Sequence, residues 1–197
     1  MSNGNVNHPK KGSQIAVEPI KAMKDIKAIK KLLSDKPRDL CLFTLGINTN
    51  LRAIDLLNIK VGLVASLEPG DEFTLKERKT CKARRITINR AVHETIQGLF
   101  KVTAYESGDY LFRSQRGAVL TVPSLSRLVK MWCKMIHLKG NYASHTLRKT
   151  WGYHQRVSFN VGIPELMVCF NHSSQRQTLD YLCIQPEEIK NVYLNEL

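Results

Sequence analysis

The chain has 197 residues, of which 43% are hydrophobic, so its length predicts one domain with room for a sizeable core. Lysine and arginine number 30 against 17 aspartate and glutamate, which gives a formal net charge of +13 and a pI near 9.7. No apolar run approaches the ~18 residues of a membrane span, and the first residues lack the apolar core of a signal peptide. We therefore expect a soluble, cytoplasmic protein without membrane contact.

The positive charge favours a polyanionic partner, because each phosphate that a protein neutralises releases counterions. Nucleic acid is the favoured partner. Ribosome-associated proteins and membrane-surface proteins are also basic and are the alternatives that the charge leaves open. The five cysteines are odd in number and scattered, with no Cys-x-x-Cys pair. They indicate neither a zinc site nor a disulfide framework, and reduced thiols are the simpler interpretation.

Residues 1–18 are rich in Asn, Gly, Lys and Ser without periodicity, which predicts a flexible basic arm. After Pro19, apolar residues recur at helical spacing and predict an amphipathic helix. This apolar stripe consists of Ala22, Ile26, Ile29 and Leu33. The lysines on its other faces either contact a phosphate backbone or are simply solvated.

Two further helices follow, a buried one from Pro37 to near Gly46 and a short one over Leu51–Leu57. Arg52 stands at the beginning of the short helix, and Asp55 lies one turn later on the same side. Taken alone, this pair is a surface ion pair of little energetic value.

A β-hairpin is predicted next, because Glu72–Lys76 and Arg84–Ile88 alternate apolar and polar residues. The residues between the two strands form a cationic tip that contains Lys79. The hairpin carries four more cations that are candidates to contact a polyanion: Lys76, Lys82, Arg84 and Arg85.

Helical patterns then extend over Arg90–Val102 and from Ser124, as cap, to Leu138. In the second of these, a stripe predicts core positions at Leu128, Met131, Trp132, Met135 and Ile136. Trp132 could stack on a base, but its place in an apolar stripe favours packing.

The last part of the chain, from Ser144 to Tyr181, has the most informative spacing. A helix that begins at Ser144 places His145 and Arg148 on one side of its first turn, where a cationic helix N-terminus suits an anion. Pro164 begins a helix that leads to His172, and a further helix over 173–184 carries Tyr181 about two turns from its start. Each residue separately has an ordinary structural explanation.

The joint pattern of His-x-x-Arg, then Asn-His-Ser-Ser, then Thr-x-x-Tyr resembles the signature of the tyrosine recombinases, the phage integrase family. That family carries a first catalytic arginine in an Arg-x-x-Glu/Asp-Leu segment, onto which Arg52 and the supporting Asp55 map. Its hairpin lysine lies in a Lys-Thr-Gly-Lys-like turn, where Lys79 corresponds and Lys82 is the next choice. Cys81 and Asn171 stand where the family usually has glycine.

The resemblance implies an α+β, mainly helical catalytic domain over residues 19–185, with a small antiparallel hairpin on one edge. Residues 186–197 would form a tail helix that docks either on a neighbouring protomer or back on its own domain. The separate N-terminal DNA-clamping domain of most integrases is missing. We therefore expect either a compact recombinase or a catalytic domain whose partner domain lies elsewhere.

The resemblance also implies a reaction without metal or cofactor. Arg52, Arg148 and His172 would hold the charge of a phosphodiester, since guanidinium forks match phosphate oxygens. Tyr181 would attack to give a 3′-phosphotyrosine, His145 would move the phenolic proton, and Lys79 would protonate the departing 5′ oxygen. The partner would be double-stranded DNA, bound by a homo-oligomer, a tetramer of active sites.

Three functions fit this pattern. A site-specific recombinase that integrates, excises or inverts a mobile element is favoured. The alternatives are a nicking and resealing enzyme similar to type IB topoisomerases and a DNA-binding factor that keeps the fold without catalysis. The residues specify neither the target sequence nor the outcome of recombination.

Overall fold

The computed structural model describes residues 17–114 and 117–183. This part of the chain contains eight α-helices and one antiparallel pair of strands, so the mainly helical α+β class is confirmed. The elements are α1 (Met23–Leu32), α2 (Pro37–Gly46), α3 (Ala53–Leu57), β1 (Glu72–Lys76), β2 (Ala83–Thr87), α4 (Arg90–Val102), α5 (Val122–Met135), α6 (Ser144–Val157), α7 (Ile163–Phe170) and α8 (Gln175–Leu182).

The helices α1 to α6 enclose the larger of two apolar clusters, which we call the main core. Its largest buried side chains include Trp132 and Phe43, whose rings meet edge to face with centroids 5.9 Å apart. Trp132 is therefore a packing residue, as predicted. The main core extends to Leu147 on α6, which lies so close to Gly46 that a Cβ there would overlap it.

A smaller cluster, the satellite core, joins α7 and α8 to the second half of α6. It consists of the buried side chains of Leu166, Phe170 and Leu182. Gly152 on α6 allows this contact, because a Cβ at that position would overlap the side chains of Phe170 and Leu182. The helices α7 and α8, which position His172 and Tyr181, are thus packed against α6 through a close contact at Gly152.

The hairpin pairs Glu72 with Thr87 and Lys76 with Ala83, one residue from the predicted start of its second strand. Phe73 and Ile86 face each other in this register and are buried, which fixes the hairpin to the main core. The other residues of both strands are exposed or half-buried.

Two predicted helix starts are corrected. The helix α3 begins at Ala53, so Arg52 is its N-cap residue and has an extended backbone. The helix α5 begins at Val122, because Thr121, and not Ser124, provides the capping oxygen.

The apolar stripe predicted for α5 is confirmed in part, because Trp132 is buried and Leu128 and Ile136 pack against the main core. Met131 and Met135 are 42% and 48% exposed. Leu125, Val129 and Cys133 are buried in their place beside Trp132. Helix α5 is apolar on more than one side, so its sequence left the buried side ambiguous.

At the end of α6, Val157 and the following Phe159 are apolar but 42% and 65% exposed. Buried polar residues of the helix contribute to its attachment. The Nε2–H of His154 donates to the Ile20 carbonyl oxygen at 2.9 Å, and its Nδ1 lies 2.8 Å from Ser158 Oγ. His154 is therefore a structural histidine.

At the start of the described chain, the Glu18 N–H donates to the Asn141 carbonyl oxygen at 2.8 Å, which ties this residue to the loop before α6. The predicted arm lies largely before the described residues, and the predicted tail helix at 186–197 lies after them. None of the helices in the described part of the chain is long and apolar enough to cross a membrane.

Candidate active site

The predicted site residues lie at the ends of four separate elements. Arg52 caps α3, Arg148 and His145 lie in the first turns of α6, and Lys79 is at the hairpin tip. His172 and Tyr181 are supplied by the α7–α8 turn and by α8. The charges of Arg52, Arg148 and Lys79 all act on the pKa of His145. The start of α3, the start of α6 and the hairpin tip therefore lie close together.

Arg148 is buried at the centre of the site, with 4% of its surface exposed. Its Nη2 donates to the Phe170 carbonyl oxygen at 3.2 Å, at the end of α7. Its Nη1 is buried and has no hydrogen-bond partner among the described residues. Burial lowers the pKa of Arg148 to about 10, so it remains a cation at neutral pH.

Arg52 approaches the same region from the main core. Its Nη1 lies 2.6 Å from Glu77 Oε2, in an ion pair. The Arg52 side chain is 17% exposed and that of Glu77 is 5% exposed, so this pair is largely out of solvent. Its cationic end is held by the first residue of the hairpin tip.

Asp55 is also buried, but its contact differs from a pairing with Arg52. Its Oδ1 accepts a hydrogen bond from the backbone N–H of Arg78 at 2.9 Å. Asp55 therefore holds the hairpin tip, next to Lys79, over the beginning of α3. Lys79 itself is exposed.

His145 lies at the open side of the site. Partial burial lowers its pKa, and the positive charges of Arg148, Lys149, Arg52 and Lys79 lower it further. A neutral imidazole at pH 7 is the result, which leaves a ring nitrogen able to accept a proton.

His172 is fixed by neighbours on both sides. Its Nδ1 lies 3.0 Å from Thr178 Oγ1, and its ring stacks on Phe170 at a centroid distance of 5.1 Å. The Tyr181 ring meets its edge at 5.3 Å. Burial, together with the charges of Arg148 and Arg52, lowers the pKa of His172.

The Tyr181 hydroxyl oxygen is buried without a hydrogen-bond partner in the described chain. Burial raises its pKa, while the charges of Arg148 and Arg52 oppose that rise. The buried ammonium of Lys149 lies 5.0 Å from the centre of the Tyr181 ring. The phenol is thus neutral at rest and is surrounded by cations.

Arg148 Nη1 and Tyr181 Oη are buried and lack partners in residues 17–114 and 117–183. Buried polar atoms normally have partners in native proteins, so unpaired ones at the centre of a site call for a ligand. The free nitrogen of the Arg148 guanidinium requires an acceptor, and the surrounding positive charge favours an anion. The site is therefore organised for an anionic oxygen acceptor beside a phenol.

The four other cations of the hairpin differ in accessibility. Lys76 and Lys82 are exposed, and the Arg85 side chain is 73% exposed with Glu72 Oε2 at 3.4 Å. Arg84 instead turns inwards. Its side chain is 16% exposed, and its Nη1 lies 3.0 Å from Glu77 Oε1.

Nowhere in the described part of the chain are three His, Cys, Asp or Glu side chains grouped as a metal site would require. The acidic groups near the centre, Glu77 and Asp55, are instead occupied by arginine side chains and a backbone amide.

The model of the phage integrase family matches residues 19–188, which is most of the chain. The chain belongs to the phage integrase family. A probable integrase/recombinase, YoeC, of Bacillus subtilis (strain 168) is 32% identical over 181 residues, which cover 90% of this chain and 95% of that protein. The tyrosine recombinase XerC of Caldanaerobacter subterraneus subsp. tengcongensis is 29% identical over 82% of this chain and 47% of its own length.

Solved structures of this family share the fold. The XerA recombinase superposes with a TM-score of 0.72 at 17% identity, over 96% of this chain and 66% of that one. XerH, crystallised with its palindromic difH substrate after cleavage, also gives a TM-score of 0.72, at 16% identity, over 96% of this chain and 57% of its own. The expected tyrosine recombinase catalytic fold is confirmed, and this chain spans about two-thirds or less of these solved chains.

The two positions where this integrase-family chain lacks a usual glycine have adopted the glycine-like backbone. Cys81 has φ of 57° and Asn171 has φ of 57°, both left-handed. Asn171 is the C-cap residue of α7, a left-handed position that asparagine, after glycine, commonly occupies.

Sequence reasoning missed Glu77, which looked like one more polar residue at a charged tip. The available signal was its place directly after β1, where the alternation of the strand turns the side chain of Glu77 to the same face as Phe73 and Leu75.

Proposed function

We propose that this chain is a site-specific DNA recombinase of the tyrosine type, which cuts and rejoins DNA through a 3′-phosphotyrosine intermediate. The observation that carries the proposal is that Arg148 Nη1 and Tyr181 Oη are buried and unpaired, in a site where the charges of Arg148 and Arg52 both act on Tyr181. Two guanidinium groups that can bind a phosphate and a nucleophile are thus combined in one place. Family membership supports the same chemistry.

In the proposed reaction, the scissile phosphate accepts hydrogen bonds from Arg52, Arg148 and His172. Attack on phosphorus adds negative charge to the nonbridging oxygens, and fixed cations stabilise that charge more than they stabilise the ground state. Arg148 is the most constrained of the three, since its burial and its bond to the Phe170 carbonyl oxygen set its direction.

The proton transfers follow from the charges in the site. Tyr181 is neutral at rest, so a base must take its proton as the oxygen–phosphorus bond forms, and neutral His145 has that role. The bond from phosphorus to the 5′ oxygen breaks, and Lys79 supplies the proton that the leaving oxygen needs. The products are a 3′-phosphotyrosine and a 5′-hydroxyl, and attack by the 5′-hydroxyl of another strand rejoins DNA.

Double-stranded DNA is the proposed partner, contacted by the exposed cations Lys76, Lys82 and Arg85 of the hairpin. Strand exchange requires several active sites on DNA, so we propose a homo-oligomer, a tetramer, that assembles there. Among the similar structures, XerH is bound to difH DNA and a lambda integrase dimer is bound to a core site. In the cell the protein would be cytoplasmic and associated with the DNA that it recombines.

The proposal is tested by covalent trapping. Duplexes from the native locus, nicked beside candidate scissile phosphates, release a short strand on cleavage and so accumulate protein joined to a 3′ phosphate. Wild-type protein should form this adduct, and Tyr181→Phe should not. Tyr110→Phe, which removes a phenol hydroxyl beneath Lys60 and away from the site, should act as wild type.

Other outcomes separate the alternatives. Tight binding without any adduct would contradict the proposal and favour a DNA-binding factor without catalysis. Adduct formation and plasmid relaxation at any sequence, without strand exchange between two sites, would favour the topoisomerase-like activity.

A further inference from the structure

Glu77 is buried at a place where a surface residue is expected. It follows β1 at the tip of a hairpin rich in lysine and arginine, yet 4% of its surface is exposed. Burying a carboxylate is costly unless it is paired and hydrogen-bonded. The contacts of the Glu77 carboxylate therefore indicate why it is buried.

Both oxygens of Glu77 are occupied. Oε2 lies 2.6 Å from Arg52 Nη1 and accepts from Thr80 Oγ1 at 2.7 Å, and Oε1 accepts from Arg84 Nη1 at 3.0 Å. Although burial raises its pKa, the contacts with Thr80, Arg52 and Arg84 outweigh that effect and lower the pKa to about 2. Glu77 is an anion at every pH at which the protein is used.

The backbone of Glu77 also closes the hairpin tip. Its N–H donates to the Lys82 carbonyl oxygen at 2.9 Å, and its own carbonyl oxygen accepts from the Cys81 N–H at 2.9 Å. Lys79 lies inside the loop that these two bonds close. A change at Glu77 therefore reaches Lys79 through the backbone and Arg52 through the side chain.

The same contacts continue to the opposite side of the site. Arg84 Nη2 donates to the Cys169 carbonyl oxygen at 3.0 Å, and Asn50 Nδ2 donates to the same oxygen at 2.9 Å. The next carbonyl, that of Phe170, accepts from Arg148. Through Arg52 and Arg84, one carboxylate thus joins α3, the hairpin and the end of α7, the three elements around Arg52 and the unpaired Arg148 nitrogen.

We propose that Glu77 is a positioning residue for the reaction: it clamps the Arg52 guanidinium to the hairpin tip and thereby sets Arg52 against the phosphate and Lys79 against the leaving 5′ oxygen. This inference rests on the proposed function and extends it. Asp55 holds the same tip through the Arg78 N–H, so Glu77 supplies the side-chain link to Arg52 that Asp55 does not make.

The test compares Glu77→Gln with Glu72→Gln, which neutralises an exposed carboxylate on the same hairpin. Each protein is given the nicked duplex in two forms, one with the natural 5′ oxygen and one with sulfur in its place. A thiolate leaves without a proton, so the sulfur form does not need Lys79.

Glu77→Gln should cleave the oxygen substrate at least about tenfold more slowly than wild type, with a clearly smaller defect on the sulfur substrate. Glu72→Gln should match wild type on both. Equal defects on the two substrates would show that Glu77 does not act through Lys79 and would overturn the proposal, as would a Glu77→Gln rate equal to that of wild type.

An arm that does not depend on activity measures amide hydrogen exchange in residues 77–82. Exchange there should be faster in Glu77→Gln than in wild type or Glu72→Gln, and unchanged exchange would overturn the clamp. If wild type cleaved neither substrate, the proposed function would fail, while this arm would still decide whether Glu77 fastens the tip. Should Glu77→Gln not fold, Thr80→Val removes one bond to Glu77 and should show the same substrate dependence at a smaller size.

Discussion

The two apolar cores of this protein support different parts of the site. Arg52 and Arg148 are attached to elements of the main core, α3 and the first half of α6. His172 lies in the α7–α8 turn and Tyr181 on α8, and these helices are held by the satellite core of Leu166, Phe170 and Leu182. The proposed phosphate-binding cations are therefore set by extensive burial, while the proposed nucleophile depends on a small cluster that we expect to open first.

The largest expected effect comes from Arg148, which joins the two regions. In Arg148→Lys the positive charge is kept, but a lysine cannot donate to the Phe170 carbonyl oxygen and a phosphate at once in the geometry of a guanidinium fork. The rate of adduct formation should fall by on the order of 100-fold or more. Single-turnover trapping on the nicked duplex measures it.

Arg127→Lys is the matched control, because Arg127 lies on the exposed side of α5 and bonds only Ser124 Oγ among the described residues. Its rate should equal that of wild type. A rate for Arg148→Lys within a few-fold of wild type would show that charge alone suffices at this position.

The next effect tests the attachment of the satellite core directly. Gly152→Ala places a methyl group against Phe170 and Leu182, and such overpacking costs about 1–3 kcal/mol. Gly98→Ala is its control, since a Cβ at Gly98 in α4 meets nothing within 4 Å and should stabilise the helix by about 0.5–1 kcal/mol.

Hydrogen exchange resolved along the chain checks this pair of variants. In Gly152→Ala, exchange in α7 and α8 should rise while exchange in α2 and α4 stays near that of wild type. A uniform rise throughout the molecule would mean that the two cores unfold as one unit, against our comparison.

A smaller effect is expected at Thr178, which is fully buried and whose Oγ1 lies 3.0 Å from His172 Nδ1. Thr178→Val keeps the shape and removes the bond that sets the direction of the His172 ring, at a cost of about 1 kcal/mol. Adduct formation should slow by roughly fivefold to tenfold, with DNA affinity unchanged in a filter-binding assay. A rate equal to that of wild type would show that stacking on Phe170 suffices to orient His172.

The smallest effect is the response to mild acid. The pKa of His145 is lowered below its ordinary value of 6.5, so more than half of it is still neutral at pH 6.5. The single-turnover rate should therefore fall by less than about twofold between pH 7.5 and 6.5, and more steeply only below that. An acid limb centred above pH 6.5 would exclude His145, with its lowered pKa, as the proton acceptor.

Much of this arrangement could be predicted from sequence because local signals agreed with the fold. Pro37 and Gly46 bound α2, and the alternation of Glu72–Lys76 gave β1, both as the structure has them. The helix predicted over 173–184 is α8, which Ser174 caps by accepting a hydrogen bond from the Gln177 N–H.

The incorrect predictions concern residues whose burial or pairing depends on contacts with distant elements. Met135 is large and apolar, yet it is exposed because α5 turns another side inwards. Glu77 gave no local sign of its ion pairs, since Arg84 is seven residues away and Arg52 lies on another element. Spacing identifies a face of one helix but not the partner that a distant element supplies.

The most direct measurement is mass spectrometry of the trapped adduct after nuclease digestion of the DNA. We expect a tryptic peptide in which Tyr181, and no other residue, carries a nucleotide joined through its 3′ phosphate. A nucleotide on another side chain would contradict the assignment of Tyr181 as the nucleophile. A nucleotide joined to Tyr181 through its 5′ phosphate would contradict the proposed direction of cleavage.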